Sequence, residues 1–92
     1  MSAYVMFGKY SLDAIKAISA KRTNQAQALV KKYGGEVKAG YALLGGTDIV
    51  MVVDLPDNER AMQVSAALTK LLGISFKTAP AVTFEQFDKL MG

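Results

Sequence analysis

Two tyrosines and one aspartate are the side chains of this 92-residue chain best placed to do chemistry. Tyr10 ends the first apolar segment, Tyr41 lies in the second, and Asp48 comes directly before the third. Phenols stack on planar molecules and form hydrogen bonds, so Tyr10 and Tyr41, together with Lys9, are candidate contacts in a small-molecule cavity. Aromatic residues in strands also pack without any ligand, and that alternative stays open.

Asp48 is a third candidate ligand-binding residue because it begins a segment whose other members are apolar. A carboxylate directed toward the core would need hydrogen-bond partners there. The structural alternative is that it accepts hydrogen bonds from the amides of Gly46 or Thr47 and holds the turn in place. The sequence leaves both roles open.

Histidine and cysteine are both absent, which excludes many kinds of site. Neither Cys–His nor Ser–His nucleophile systems can form, and the usual ligands of zinc, copper and haem iron are missing. Asp48 and Asp54 lie at opposite ends of one predicted strand, roughly 20 Å apart at 3.3 Å per residue, so they cannot share a metal ion. We predict no cofactor and no metal site. No catalytic residue is identified, and whether the chain is an enzyme stays open.

The composition favours self-association over binding to nucleic acid or membrane. Hydrophobic residues make up 51% of the chain and charged residues only 21%, so some apolar surface is expected to be covered by another chain. The net charge of +3 comes from scattered lysines and arginines without a dense basic stripe, so no nucleic-acid surface is predicted. No apolar run approaches the roughly 20 residues of a membrane span, and we expect a cytoplasmic protein.

The pattern of apolar residues and helix caps predicts one domain of alternating strands and helices. Ser11 and Ser19 are candidate N-caps, and Pro56-Asp57 marks the start of another helix. Thr83 with Gln86 forms a capping box that begins a terminal helix. The predicted elements are a strand over 4–10, helices over 12–18 and 20–33, strands over 36–44 and 48–54 joined tightly at 45–47, a helix from 56–57 to 72, an edge strand over 74–82 and the terminal helix.

This order predicts an α+β, ferredoxin-like β-α-β-β-α-β fold, with an antiparallel sheet, two helices on one face and a short C-terminal helix. The sheet-facing side of the main helix is predicted to consist of Thr23, Ala26, Leu29, Val30 and Tyr33, which repeat at three to four residues.

The third strand is apolar on both faces, although helices are predicted to cover only one. We therefore expect a sheet-to-sheet dimer, whose interface contains either Met51 or Val50 depending on which one faces away from the helices. The alternative is a monomer whose terminal helix folds back over the free face.

Four short motifs resemble those of the GYD domain family, and the resemblance extends over essentially the whole chain, 1–92. It implies a dimeric α/β-barrel relative of the ferredoxin-like fold. The family has no general activity that the resemblance would assign to this chain. Thr47 stands where the family has the tyrosine of its Gly-x-Tyr-Asp segment. The motifs are Gly34-Gly35-Glu36-Val37, Gly45-Gly46-Thr47-Asp48, Asp54-Leu55-Pro56-Asp57 and Phe84-Glu85-Gln86-Phe87.

We predict a homo-oligomeric module, at least a dimer, that binds a small apolar or aromatic molecule between its sheet and helices. Two alternatives are open. One is a structural self-assembly subunit without a ligand. The other is a cofactor-independent oxygenase or isomerase, which the likeness to dimeric α/β barrels suggests by analogy of fold.

Overall fold

The computed structural model describes residues 1–92 and confirms the predicted α+β fold. Its element boundaries agree with the sequence prediction to within a few residues. The elements are β1 (Ser2–Tyr10), α1 (Leu12–Lys16), α2 (Ala20–Lys32), β2 (Glu36–Ala42), β3 (Ile49–Leu55), α3 (Asn58–Leu72), β4 (Ile74–Ala81) and α4 (Phe84–Met91).

The four strands form one antiparallel sheet in the order β2-β3-β1-β4. Strand β4, which contains Pro80, lies at an edge as predicted, where a missing N–H removes no ladder hydrogen bond on the solvent side. Helices α2 and α3 pack on the same face, and their contact with each other closes the core over the two central strands. The arrangement matches the split β-α-β unit.

The core lies between this sheet face and the two helices. Met6 and Val53 from the central strands are completely buried, as are Val30 of α2 and Val64 of α3. These helical positions follow the three-to-four-residue spacing that places side chains on one helix face. Leu29 and Tyr33, both predicted to face the sheet, are partly buried against the same cluster.

Local capping explains where the helices begin and end. The side chain of Ser19 accepts a hydrogen bond from the backbone N–H of Arg22, and Thr83 forms the predicted capping box with Gln86. Gly73 ends α3 in the left-handed conformation, with φ of 70°, which costs glycine little. These interactions involve neighbours in the chain, so they can be inferred from sequence.

The connection between β2 and β3 is longer than the tight turn predicted over 45–47. Strand β2 ends at Ala42 and β3 begins at Ile49, so the loop spans 43–48. The backbone N–H of Leu43 donates to the carbonyl of Asp48 at 2.8 Å and closes the loop. The glycines form its exposed tip, and the prediction of a tight connection was wrong.

The register of the sheet decides which residues of β3 face the helices. Met51 packs against the core cluster, whereas Val50 lies opposite Phe7 on the face without helices. Val5 and Val52 form the next pair on that face. The predicted two-sided apolar strand is therefore confirmed, with Val50 rather than Met51 on the free side.

Helix α4 has an apolar stripe but buries none of its residues. Phe84 and Leu90 are 89% and 75% exposed, and the helix makes no extended contact with any other element. It therefore does not fold back over the free sheet face, as the monomeric alternative required. None of the helices is long and apolar enough to cross a membrane.

Candidate functional site

A cavity of about 390 Å³ lies between α2 and the half of the sheet that contains β2. It exists because α3 packs closely on β4 at the other side, whereas α2 makes fewer contacts with β2. Gly40 contributes to it because the glycine presents no side chain at a position on the helix-facing side of β2. The lining residues are Tyr10, Ala14, Ile18, Ser19, Arg22, Thr23, Ala26, Gln27, Val37, Gly40, Tyr41, Ala42, Ile49, Met51, Leu72 and Ile74.

The floor of this cavity is apolar. Ile49 and Met51 from β3 and Ile74 from β4 reach it from the sheet and pack against the main core. Alternation along a strand places residues 49 and 51 on the same face. A ligand resting on this floor would bury apolar surface against aliphatic side chains and one flexible thioether.

The roof of the cavity is mostly polar. Ser19, Arg22, Thr23 and Gln27 line it from α2 at spacings of three and four residues, so they share one helix face with Ala26. A helix face turned toward a sheet is normally apolar. The apolar face predicted for this helix is therefore correct from Ala26 onward, whereas the first two turns present polar groups to the cavity.

Arg22 is the one charged residue that lines the cavity. Its Nη2 atom donates to the backbone carbonyl of Leu72 at 2.6 Å, in the last turn of α3. This carbonyl is one of those that lack a partner within their own helix, and the arginine satisfies it. No carboxylate lies within ion-pair distance of Arg22.

Tyr10 lies where a cavity contact was predicted. It is at the end of β1, lines the cavity and packs partly buried against the core. Its backbone is held on both sides, since it pairs with Ile74 of β4 and its N–H donates to the Asp48 carboxylate. The position of its ring at the cavity wall is therefore set by backbone contacts from two directions.

Asp48 does not line the cavity. Its Oδ2 atom accepts a hydrogen bond from the backbone N–H of Tyr10 at 2.8 Å, and its own N–H donates to the carbonyl of Gly8 at 2.9 Å. The sequence suggested that the Asp48 carboxylate could accept hydrogen bonds from the amides of Gly46 or Thr47. Its donor is instead the N–H of Tyr10, so those partners were wrong. Asp48 instead joins the β2–β3 loop to the end of β1 and acts on the cavity through Tyr10.

Tyr41 borders the cavity from the edge strand, but the sheet register turns its side chain away from the floor. It lies opposite Val50 and so belongs to the face without helices, where 66% of its surface is exposed. Lys9 also stays outside the cavity and donates from Nζ to the carbonyl of Gly46 at 3.2 Å. The structure therefore brings Tyr10 to the cavity wall, Tyr41 to its rim and Lys9 to neither.

Arg22 was missed as a candidate site residue in the sequence. The signal was present, because an arginine lies four residues before Ala26 and eight before Val30, on the side of the helix that must face the sheet. Taken alone, that spacing is also compatible with a solvated arginine at the border of the face. Only the position of Arg22 beside the end of α3 distinguishes a cavity-lining arginine from a solvated one.

A second, more open groove of about 550 Å³ lies between α3 and β4. Its polar side chains already have partners within the chain. The hydroxyls of Ser65 and Thr78 are 2.6 Å apart, and the Tyr4 hydroxyl donates to the Asn58 side chain at 2.6 Å. A ligand there would find few free polar groups, so the cavity between α2 and the sheet is the better candidate site.

A small cluster of charged side chains lies on the free sheet face, away from the cavity. Lys38 Nζ lies 3.3 Å from Glu36 and 3.6 Å from Asp54. The hydrogen bond and charge of Glu36, followed by the charge of Asp54, raise the pKa of Lys38 above its usual value. The side chains are exposed, so this cluster contributes little to stability.

Comparison with solved structures shows similarity in fold. The leucine response regulatory protein LrpA of Mycobacterium tuberculosis superposes with a TM-score of 0.60 at 13% identity, covering 90% of this chain and 52% of that one. The structure of a glutamate-to-alanine mutant gives a TM-score of 0.60 at 12% identity, with the same coverage of both chains. This chain thus spans about half the length of the solved proteins that it matches, and identities this low concern the fold alone.

Comparison with curated proteins found no match. The model of the GYD domain, however, matches residues 4–91, which is nearly the whole chain. That match agrees with the motifs recognised in the sequence and with the observed strand order. The chain therefore belongs to the GYD domain family, within the dimeric α/β-barrel superfamily of ferredoxin-like folds.

Proposed function

We propose that this chain is the subunit of a homo-oligomer that binds a small, largely apolar or aromatic molecule in the cavity between α2 and the sheet. The cavity itself is the observation that carries the proposal. Its volume of about 390 Å³ lies in the range of roughly 300–1,000 Å³ that is typical of small-molecule sites. An apolar floor with a few polar groups at the wall is the usual composition of such sites.

Gly40 supports a binding role, since a side chain there would enter the cavity without a clash. A Cβ atom added at Gly40 would meet only Met51 Cγ, at an ordinary contact distance of 3.8 Å. The sequence thus has room to fill the cavity and leaves it open.

The free sheet face supports the oligomer. Val5, Phe7, Val50 and Val52 form a continuous apolar patch across the two central strands, and Phe7 is 42% exposed. Tyr41 extends the patch onto β2. A second copy of this sheet would cover it with a surface of the same composition, which is how two sheets commonly pack.

Helix α4 provides an independent reason for self-association. Its apolar residues have no partner within the chain. We therefore expect the partner copy to contact α4 as well as the sheet. Phe84, Phe87, Leu90 and Met91 would then be covered.

The groups at the cavity favour binding over acid–base catalysis. Its titratable lining residues are Tyr10, Arg22 and Tyr41, and no carboxylate lies among them. An arginine stays protonated at all ordinary pH values and so is a poor proton shuttle. A cofactor-independent reaction here would have only phenol and guanidinium groups available for proton transfer.

Native mass spectrometry of protein purified under mild conditions tests the proposal. An oligomer with an even number of subunits and additional small-molecule mass is the expected result. A ligand-free oligomer that also fails to take up added aromatic compounds would favour the structural assembly role. A monomer would contradict the oligomeric part of the proposal.

A further inference from the structure

We infer that the ligand of the α2–sheet cavity is an amphipathic anion, an aromatic or aliphatic body that carries one carboxylate or similar acidic group, and that Arg22 binds this group. The inference rests on the proposed function, since it names the chemical class of the molecule in the same cavity. It depends on how the charges and polar groups around the cavity are distributed.

The first observation is the unpaired charge of Arg22. A guanidinium carries five N–H donors. A single hydrogen bond is recorded for the Arg22 side chain, from Nη2 to the Leu72 carbonyl at 2.6 Å, and no carboxylate forms an ion pair with it. The other donors are therefore available to a ligand. An anion would supply both the hydrogen-bond acceptors and the opposite charge.

The second observation is that the Leu72 contact orients the guanidinium. A hydrogen bond of 2.6 Å to the carbonyl at the end of α3 restricts the arginine side chain to one side of the cavity. A planar group held in this way loses less freedom when it binds a second acceptor. The contact is therefore compatible with binding of an anion by the remaining N–H donors.

The third observation is the separation of polar and apolar surfaces. Arg22 and the hydroxyl residues Ser19 and Thr23 lie together at the α2 side, whereas the opposite floor is formed by Ile49 and Met51. A wholly apolar ligand would desolvate the remaining N–H donors of the arginine without offering them acceptors, which is unfavourable. A wholly polar ligand would gain nothing from the floor. A molecule with one acidic end and one apolar end satisfies both surfaces.

The test compares two nearly isosteric probes, naphthalene-2-carboxylate and naphthalene-2-carboxamide, by calorimetric titration of the intact protein. We expect the carboxylate to bind the wild type about tenfold or more tightly than the amide, since hydrogen bonds to a charged group are the stronger ones. Arg22→Gln retains a donor for the Leu72 carbonyl and removes the charge. It should abolish the preference by weakening binding of the carboxylate about tenfold or more relative to binding of the amide.

Lys21→Gln is the matched control, because it removes the same charge from the adjacent, exposed position of α2. It should keep the preference for the carboxylate. A preference that persists in Arg22→Gln, or that disappears equally in Lys21→Gln, would overturn the assignment of Arg22.

The wild-type titrations separate this inference from the proposed function without any variant. Equal binding of carboxylate and amide in the cavity would overturn the anionic ligand while supporting a binding module. If neither probe binds, and the NMR signals of Tyr10 and Met51 do not shift, both the inference and this use of the cavity fail.

Discussion

The carboxylate of Asp48 accepts a hydrogen bond from the backbone N–H of Tyr10 at 2.8 Å, across 38 positions of sequence. The bond joins the loop after β2 to the end of β1 at the point where β1 reaches the cavity. The aspartate of the Gly45-Gly46-Thr47-Asp48 motif therefore holds the backbone of a cavity-lining tyrosine.

This bond predicts a graded response to substitution. Asp48→Asn keeps an oxygen acceptor for Tyr10 and should lower the free energy of unfolding by about 1 kcal/mol or less. Asp48→Ala removes the acceptor and should cost about 2 kcal/mol, because the partly buried N–H is left unpaired. Urea denaturation measures both. Equal costs for the two variants would show that the oxygen at this position does not support Tyr10.

The free sheet face predicts that Val50 and Met51 respond differently to the same substitution. Val50→Lys should yield a folded monomer, since the charge lies on the exposed face beside Phe7. Met51→Lys should instead destabilise the fold by at least about 2 kcal/mol, because it places a charge against the core. Analytical ultracentrifugation and thermal melting distinguish the two. A Val50→Lys protein with an unchanged oligomeric state would contradict the sheet-to-sheet interface.

Gly40 predicts a way to close the cavity without disturbing the fold. Gly40→Ile should prevent binding of naphthalene-2-carboxylate and keep or raise thermal stability, since glycine within a strand costs roughly 0.5–1 kcal/mol relative to alanine. Gly40→Ala is the control, as its methyl group makes only an ordinary contact with Met51. Binding of the probe to Gly40→Ile with wild-type affinity would show that its site lies elsewhere.

Gly8 predicts the opposite behaviour, because its neighbours occupy the space of a side chain. A Cβ atom at this position would lie 2.7 Å from Ile49 Cγ1 and 2.7 Å from Phe76 Cε1. We expect Gly8→Ala to destabilise the protein by about 1–3 kcal/mol through overpacking. Gly46→Ala is the control, since nothing lies within 4 Å of its added methyl group. A neutral Gly8→Ala in chemical denaturation would show that Ile49 and Phe76 move aside at little cost.

The contacts of Lys38 predict a small loss of stability at alkaline pH. Because the pKa of Lys38 is raised in the folded state, its contribution is fully present below the unfolded pKa and is lost as the pH rises through the higher, folded value. The loss should therefore begin above about pH 10. Lys38→Gln should remove this part of the pH dependence in urea melts recorded from pH 8 to 11. An identical alkaline slope in both proteins would exclude Lys38 as its source.

Much of this fold follows from interactions between residues that are near one another in sequence. Ser19 caps α2, Asp57 caps α3, and Thr83 pairs with Gln86 at the start of α4, and all three involve partners within three residues. The unbroken apolar run of β3 indicated a strand that is apolar on both faces. Pro80 indicated an edge strand. Local interactions are sufficient to predict these features, because helix caps, turns and strand patterns depend on residues only a few positions apart in sequence.

Tertiary structure decided the features that depend on distant partners. Because β3 is apolar at every position from Ile49 to Val53, its sequence does not show which alternate residues face the helices. Only its pairing with β1 placed Val50 on the free side and Met51 in the core. Asp48 met the N–H of Tyr10 rather than its own turn because two remote chain segments come together there. Arg22 became a cavity residue because the end of α3 lies beside it. The sequence by itself therefore determined the elements and the apolar sheet, whereas chain packing determined which side chains surround the cavity.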